Sequence, residues 1–151
     1  MSATQQQSAP TKVDPRGLRV AAGITAVVVA LVLVLPSPAR ELLLAGQVAV
    51  FAIAAFVGLH RSPYSIFFQK VVRPRIGAPA DLEDARPPRF AQLVGFTFTA
   101  VALIAFLAGA TTVGLVATAF ALIAALLNAT IGLCLGCELY LLLRRASPAS
   151  A

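Results

Sequence analysis

The sequence predicts an all-α, polytopic membrane protein: a four-transmembrane-helix bundle with both chain ends on the cytoplasmic side. Three observations carry that reading. The 151 residues are 59% hydrophobic and only 12% charged, with mean hydropathy +0.88. Soluble domains are about half apolar and about a quarter charged, so this chain lacks the charge to solvate a soluble surface. Ordinary soluble enzymes, coiled coils and disordered segments are thereby excluded. Apolar runs fall at about 18–35, 42–59, 90–110 and 113–143, and a bilayer core of about 30 Å needs roughly 20 helical residues. Finally, the cationic side chains alternate between the segments that connect the runs, which sets an orientation.

Residues 1–17 are polar and read as a disordered cytoplasmic tail. The first run, about 18–35, follows Lys12, Arg16 and Arg19 and stops at Pro36-Ser37-Pro38. It reads as a span and not as a cleaved signal, because it exceeds a usual signal core and follows a long tail. The second run is about 42–59. A cytoplasmic loop, 60–89, leads to Pro87 and Pro88, which suit the first turn of a helix and not its middle. The third run, about 90–110, turns at Thr111-Thr112 into the fourth. As one helix, 113–143 would be roughly 46 Å long, so it is tilted, projects from the bilayer, or is unwound locally by its glycines. Residues 146–151 form a second cytoplasmic tail.

Lys12, Arg16 and Arg19 precede the first run. Arg61, Lys70, Arg73, Arg75, Arg86 and Arg89 lie between the second and third, and Arg144 and Arg145 follow the fourth. Only Arg40, beside Glu41, falls on the other side. The positive-inside rule makes the cation-rich side cytoplasmic, and the expected location is then the plasma membrane. The net charge of +6 is accounted for in this way, and no nucleic-acid partner is expected. The two hairpins suggest a loose two-fold plan, without matching residues that would make it a repeat.

The central loop mixes aromatic and cationic residues. Tyr64 to Val72 reads as a short interfacial amphipathic helix, with cations toward anionic lipid. Arg73, Arg75, Arg86 and Arg89 are the candidate docking residues, for membrane lipid or for a soluble partner. Asp81, Glu83 and Asp84 form an acidic patch among them.

The densest chemical signal is Leu127-Asn128-Ala129-Thr130-Ile131-Gly132-Leu133-Cys134-Leu135-Gly136-Cys137-Glu138-Leu139-Tyr140. Cys134 and Cys137 are the only cysteines. Three apart on a helix, they differ by about 60° and fall within disulfide reach. C-x-x-C is the minimal dithiol for exchange, in which one thiolate attacks and the second resolves. The same pair can also be two small apolar residues packed in a helix. Glu138 follows Cys134 by four residues, as a helical neighbour that opposes a thiolate by charge or serves as a base. Cys134, Cys137 and Glu138 are the candidate catalytic residues. Gly132 and Gly136 form G-x-x-x-G, which lets helices approach closely. On one continuous helix they share a face with Asn128, opposite the thiols, and these three are the candidate packing residues. With His60 the thiols and Glu138 could make four metal donors only if the second span met the fourth, and no metal is assigned. Any cofactor is left unknown.

Glu83-Asp84-Ala85-Arg86-Pro87-Pro88-Arg89-Phe90-Ala91-Gln92, together with Leu127-Asn128-Ala129, Gly132, Cys134, Gly136, Cys137, Glu138 and Tyr140, resembles a bacterial membrane family labelled domain of unknown function (DUF) 4395. The likeness covers roughly residues 14–145. The resemblance implies a four-span fold. Genes of that family often stand beside those of thioredoxin-like proteins and thiosulfate sulfurtransferases, which implies a thiol or sulfur-transfer context. A looser similarity is to disulfide-generating membrane enzymes of the vitamin K epoxide reductase type, which differ in presenting their cysteines outside.

The expected function is therefore a membrane-bound thiol/redox or sulfur-transfer component working through Cys134 and Cys137. Its expected partner is a cytoplasmic thioredoxin-like or thiosulfate sulfurtransferase protein. Alternatives are a non-catalytic anchor for such a partner, or a transporter of small sulfur species using Thr97, Thr99, Thr118, Asn128 and Thr130. The Ala- and Gly-rich spans also permit a homo-oligomer.

Overall fold

The computed structural model describes residues 12–147. Lys12–Val13 (β1) pairs antiparallel with Glu83–Asp84 further along the chain, Lys12 opposite Asp84 and Val13 opposite Glu83. Helix α1 is Pro15–Val34. Thus 12–17, expected as part of a disordered tail, form a strand and a helix start; the rest of that tail, 1–11, lies outside the described residues. Helix α1 ends because Leu35 precedes Pro36 and is extended, as the proline ring requires of its neighbour.

Helix α2 is Ala39–Ala52, continued by a π turn over Ile53–Val57. The loop expected at 60–89 contains a 3₁₀ turn, Leu59–Arg61, then α3 (Pro63–Phe67), a π turn (Phe68–Val72) and α4 (Arg73–Ile76). The interfacial helix expected over Tyr64–Val72 falls within this segment. After β2 (Glu83–Asp84) come α5 (Arg86–Leu107), α6 (Thr111–Ile131) and α7 (Leu135–Ala146). Of the second expected tail, 148–151 lie outside the described residues.

Among the described residues, four helices are long and apolar enough to cross a membrane: Pro15–Val34, Ala39–Val57, Arg86–Leu107 and Thr111–Ile131. They make the chain a multi-pass membrane protein. Their outward residues support this: Ile104 is 66% exposed, Val27 60% and Phe120 56%, which only an apolar solvent tolerates over a whole bundle surface. The run 113–143 is not one helix. It is α6, a turn at 132–134, and the separate amphipathic α7.

The starts of α1 and α5 use the same six-residue device. Asp14-Pro15-Arg16-Gly17-Leu18-Arg19 and Asp84-Ala85-Arg86-Pro87-Pro88-Arg89 share D-x-R-x-x-R. In the first, the Asp14 carboxylate accepts from the Arg16 backbone N–H at 3.0 Å and from its guanidinium at 2.8 Å. In the second, Asp84 accepts from Arg86 in the same way at 2.9 and 2.6 Å. The later arginine of each crosses to the other hairpin. Arg19 donates to the carbonyls of Ala129 and Thr130 at the end of α6, and Arg89 to those of Ala55 and Phe56 in the turn that ends α2. Carbonyls at a helix end have no intrahelical donor and carry partial negative charge, so a guanidinium suits both places. The β1–β2 ladder joins the two devices. The two-fold plan thus has matching residues after all, 70 positions apart.

The bundle is unequally filled. Away from the cationic end, Val32, Leu44, Ala102, Phe106 and Ala117 pack into one apolar cluster. Toward the cationic end a cavity of about 660 Å³ opens among the helices.

Candidate functional site

The α6–α7 junction is built by Gly132, whose φ of +75° is left-handed. Glycine adopts that conformation without the penalty a Cβ brings. The reversal lets the N–H of Gly132 reach the Asn128 carbonyl at 3.1 Å and that of Leu133 reach Leu127 at 3.2 Å. With Arg19 on Ala129 and Thr130, three of the last four carbonyls of α6, those of Asn128, Ala129 and Thr130, are satisfied.

Cys134 is the N-cap of α7, and its Sγ accepts a hydrogen bond from the Cys137 backbone N–H at 3.2 Å. The two cysteines form a disulfide with Cα atoms 5.2 Å apart, and both are half-buried. The sulfur of Cys134 therefore lies where backbone donors and the helix dipole stabilise negative charge. Glu138, in the first turn, is exposed, and its own N–H bonds to the Cys134 carbonyl at 3.0 Å. A carboxylate in that turn is also favourable for the dipole.

The expected helical wheel does not hold, because the chain leaves helical geometry over 132–134. Asn128 belongs to α6, Gly132 makes the turn and Gly136 belongs to α7; they share no helix face. Gly136 lies against α5: a Cβ there would stand 2.6 Å from the Cα and Cβ of Ala91. Next to this contact the Phe90 and Tyr140 rings meet at 5.7 Å. Together these hold α7, and with it the disulfide, on α5.

The four arginines expected as one docking group separate into different roles. Arg73 and Arg75 are exposed on α4. Arg86 is exposed but clasped to Asp84, and the guanidinium holds the Asp84 carboxyl down at about 2. Arg89 is half-buried and occupied by the end of α2. His60 is exposed in its 3₁₀ turn, and among the described residues no three His, Cys, Asp or Glu side chains converge as a metal site would need. Thr97, Thr99, Thr118 and Thr130 each donate to the carbonyl four residues back in their own helix. Their hydroxyl protons are therefore committed to helix backbone.

The cavity has Cys134, Cys137 and Glu138 at its cationic end and Thr25, Gln92 and Asn128 on its walls. One hydrogen-bonded chain beside it was missed in the sequence. Tyr64 donates to Gln47 Oε1 at 2.6 Å, and Gln47 Nε2 donates to Thr25 Oγ1 at 3.4 Å. Gln47 is 1% exposed, and burial pushes the Tyr64 phenol upward. The signal was present: Gln47 is a lone amide inside an apolar run, where polar side chains are expensive and usually face the protein interior.

No curated protein and no solved structure matches the chain. The family model for Domain of unknown function (DUF4395) matches residues 13–145, a segment that holds every transmembrane helix, the paired D-x-R-x-x-R starts and the disulfide, and the chain belongs to that family.

Proposed function

We propose that the protein is a membrane-bound thiol–disulfide component whose working pair is Cys134 and Cys137. The observation that carries the reading is the seating of the disulfide: its Cys134 sulfur caps α7 and accepts the Cys137 N–H. A cysteine at a helix N-terminus is favoured as thiolate, which is the attacking species in exchange. In the reduced protein Cys134 attacks a partner's disulfide and the partner's leaving sulfur takes a proton. Cys137 then displaces the second partner sulfur, closing the intramolecular disulfide and releasing a dithiol. Glu138, next in the chain, is the base we assign to the Cys137 thiol. The exchange is reversible, so a partner's dithiol can equally reduce the pair.

The positive-inside rule places the cation-rich end, with both tails and α7, in the cytoplasm of a bacterial plasma membrane. The partner is then a cytoplasmic thioredoxin-like or sulfurtransferase protein, and the exposed Arg73 and Arg75 are its docking residues. Reporter cysteines at Arg75 and Ser37, in a background lacking the native pair, give the orientation. Only the one at Ser37 should react with an impermeant reagent in intact cells.

The test of function is a trap. Cys137→Ser leaves Cys134 without its resolving thiol, so the partner should accumulate as a mixed disulfide that a reductant releases. Should neither Cys137→Ser nor Cys134→Ser protein trap any partner, while both still co-purify with one, the chain is a non-catalytic anchor.

A further inference from the structure

We infer that Arg19 of α1 is a positioning residue for Cys134: its guanidinium neutralises the carbonyl end of α6, so that a Cys134 thiolate meets only the favourable end of α7. The inference rests on the thiol reading above and names the residue, on the other hairpin, that prepares its attacking group.

Cys134 stands between two helix ends of opposite sign. Helix α6 closes at Ile131 and α7 opens at Leu135, with only 132–134 between them. A helix C-terminus carries about half a negative charge and an N-terminus about half a positive one. The Cys134 sulfur caps α7 and accepts the Cys137 N–H, which favours a thiolate. The carbonyls that end α6 oppose it from the other side. Uncompensated, the two helix ends work against each other at the sulfur.

Arg19 removes that opposition. Its Nη2 donates to the carbonyls of Ala129 and Thr130 at 3.2 and 2.7 Å. Its Cδ and Nε lie 4.0 Å from where a Gly132 Cβ would stand, so the side chain runs beside the turn that leads to Cys134. Among the described residues, Arg19 is the one cationic side chain on the wall of the cavity that holds the pair. The other ionisable groups do not replace it. Glu138 on α7 and Glu83 on the same wall disfavour a thiolate by like charge. Asp84 is clasped by Arg86. On α5, Arg89 is occupied by Ala55 and Phe56. Burial pushes the Tyr64 phenol upward, so it stays neutral, and α6 carries no ionisable side chain.

The internal two-fold plan supplies a control. Arg19 holds the carbonyls two and three residues before Gly132; Arg89 holds those two and three residues before Gly58, which is also at positive φ. Two residues after the glycine stands Cys134 in one half and His60 in the other. The same tie is thus made twice, once beside a thiol and once not.

The experiment uses the full chain in phospholipid nanodiscs, reduced, in a Cys137→Ser background so that one thiol titrates. Iodoacetamide alkylation of Cys134 is followed from about pH 5 to about pH 10, across the ordinary thiol range. We expect Arg19→Gln to raise the midpoint of the profile, with about two- to fivefold less thiolate at pH 7. The plateau at high pH should stay within about twofold, since nucleophilicity changes little with acidity. Arg19→Lys, which keeps the charge, should recover most of the shift. Arg89→Gln, which cuts the equivalent tie, should leave the midpoint where it was. An unmoved midpoint in Arg19→Gln overturns the inference, and so does an equal rise in Arg89→Gln. With Arg19 intact, a reading that depends on no folded Arg19 variant comes from salt. Salt screens charge, so the midpoint should rise with ionic strength; a fall, as dominance of Glu83 and Glu138 would give, also overturns it. Should the reduced two-cysteine protein exchange with glutathione disulfide while the Arg19→Gln midpoint stays put, this inference fails and the thiol reading stands. Should the two-cysteine protein not exchange at all, both fall.

Discussion

Asp14 and Asp84 accept from Arg16 and Arg86, each two residues ahead, and both carboxyls are held below their ordinary range by that guanidinium. A lowered native pKa contributes stability above the unfolded-state value, near 3.9, that is lost as pH falls through the native one. For Asp84 that value is about 2. Thermal stability should therefore decline between about pH 4 and pH 2, and the Asp14→Asn/Asp84→Asn protein should be flatter over the same window. A melting series in nanodiscs at stepped pH checks this; equal slopes would show that the clasps do not hold the helix starts. Cys134 illustrates the same scale. The spacing of the pair was legible because C-x-x-C brings two thiols within bonding reach in a helix and equally in the first turn of one. That Cys134 is a cap was not legible, since it depends on where the helix begins.

That beginning is set by Gly132, and hydropathy conceals it. Leu127, Ile131, Leu133, Leu135 and Leu139 continue the apolar signal without a gap, while one left-handed residue separates α6 from α7. Length gave the warning, because the run exceeded what a bilayer needs. Its resolution required backbone geometry that composition does not encode. The placement of α7 then rests on Gly136 against Ala91. Gly136→Leu forces side chain into backbone and should cost about 1–3 kcal/mol, freeing α7 so that the reduced cysteines alkylate faster. Gly46, with nothing within 4 Å, is the control: Gly46→Leu should change stability by no more than about 0.5 kcal/mol. Unfolding titrations of the two variants, read with alkylation rates, decide it. Equal effects would remove the α5–α7 contact as the support of the site.

At the scale of the molecule, two hairpins are tied crosswise by Arg19 and Arg89. Each ends on helix-terminal carbonyls of the other hairpin, where a cation is worth roughly 0.3–1 kcal/mol. Arg19→Gln and Arg89→Gln should each lower stability by about that amount, measured by denaturant titration, and the double variant should lose their sum. A strongly larger effect of one would mean that the halves are not equivalent. Four spans were readable because the bilayer imposes length and apolarity on every one of them. The D-x-R-x-x-R match was not legible because the charged residues at the helix starts read as topology signals and docking groups, and their use as ties between hairpins appears only once the helix ends are neighbours.

The central claim is that the Cys134–Cys137 pair works as a redox couple and is not a static staple. It is tested most directly by equilibrating the purified full chain across a dithiothreitol and glutathione series and counting alkylated thiols by mass. Both thiols should disappear together, without dimer formation, at a midpoint on the order of −200 to −270 mV, the range of thioredoxin-like couples. A pair that stays wholly oxidised or wholly reduced across the series would contradict the account.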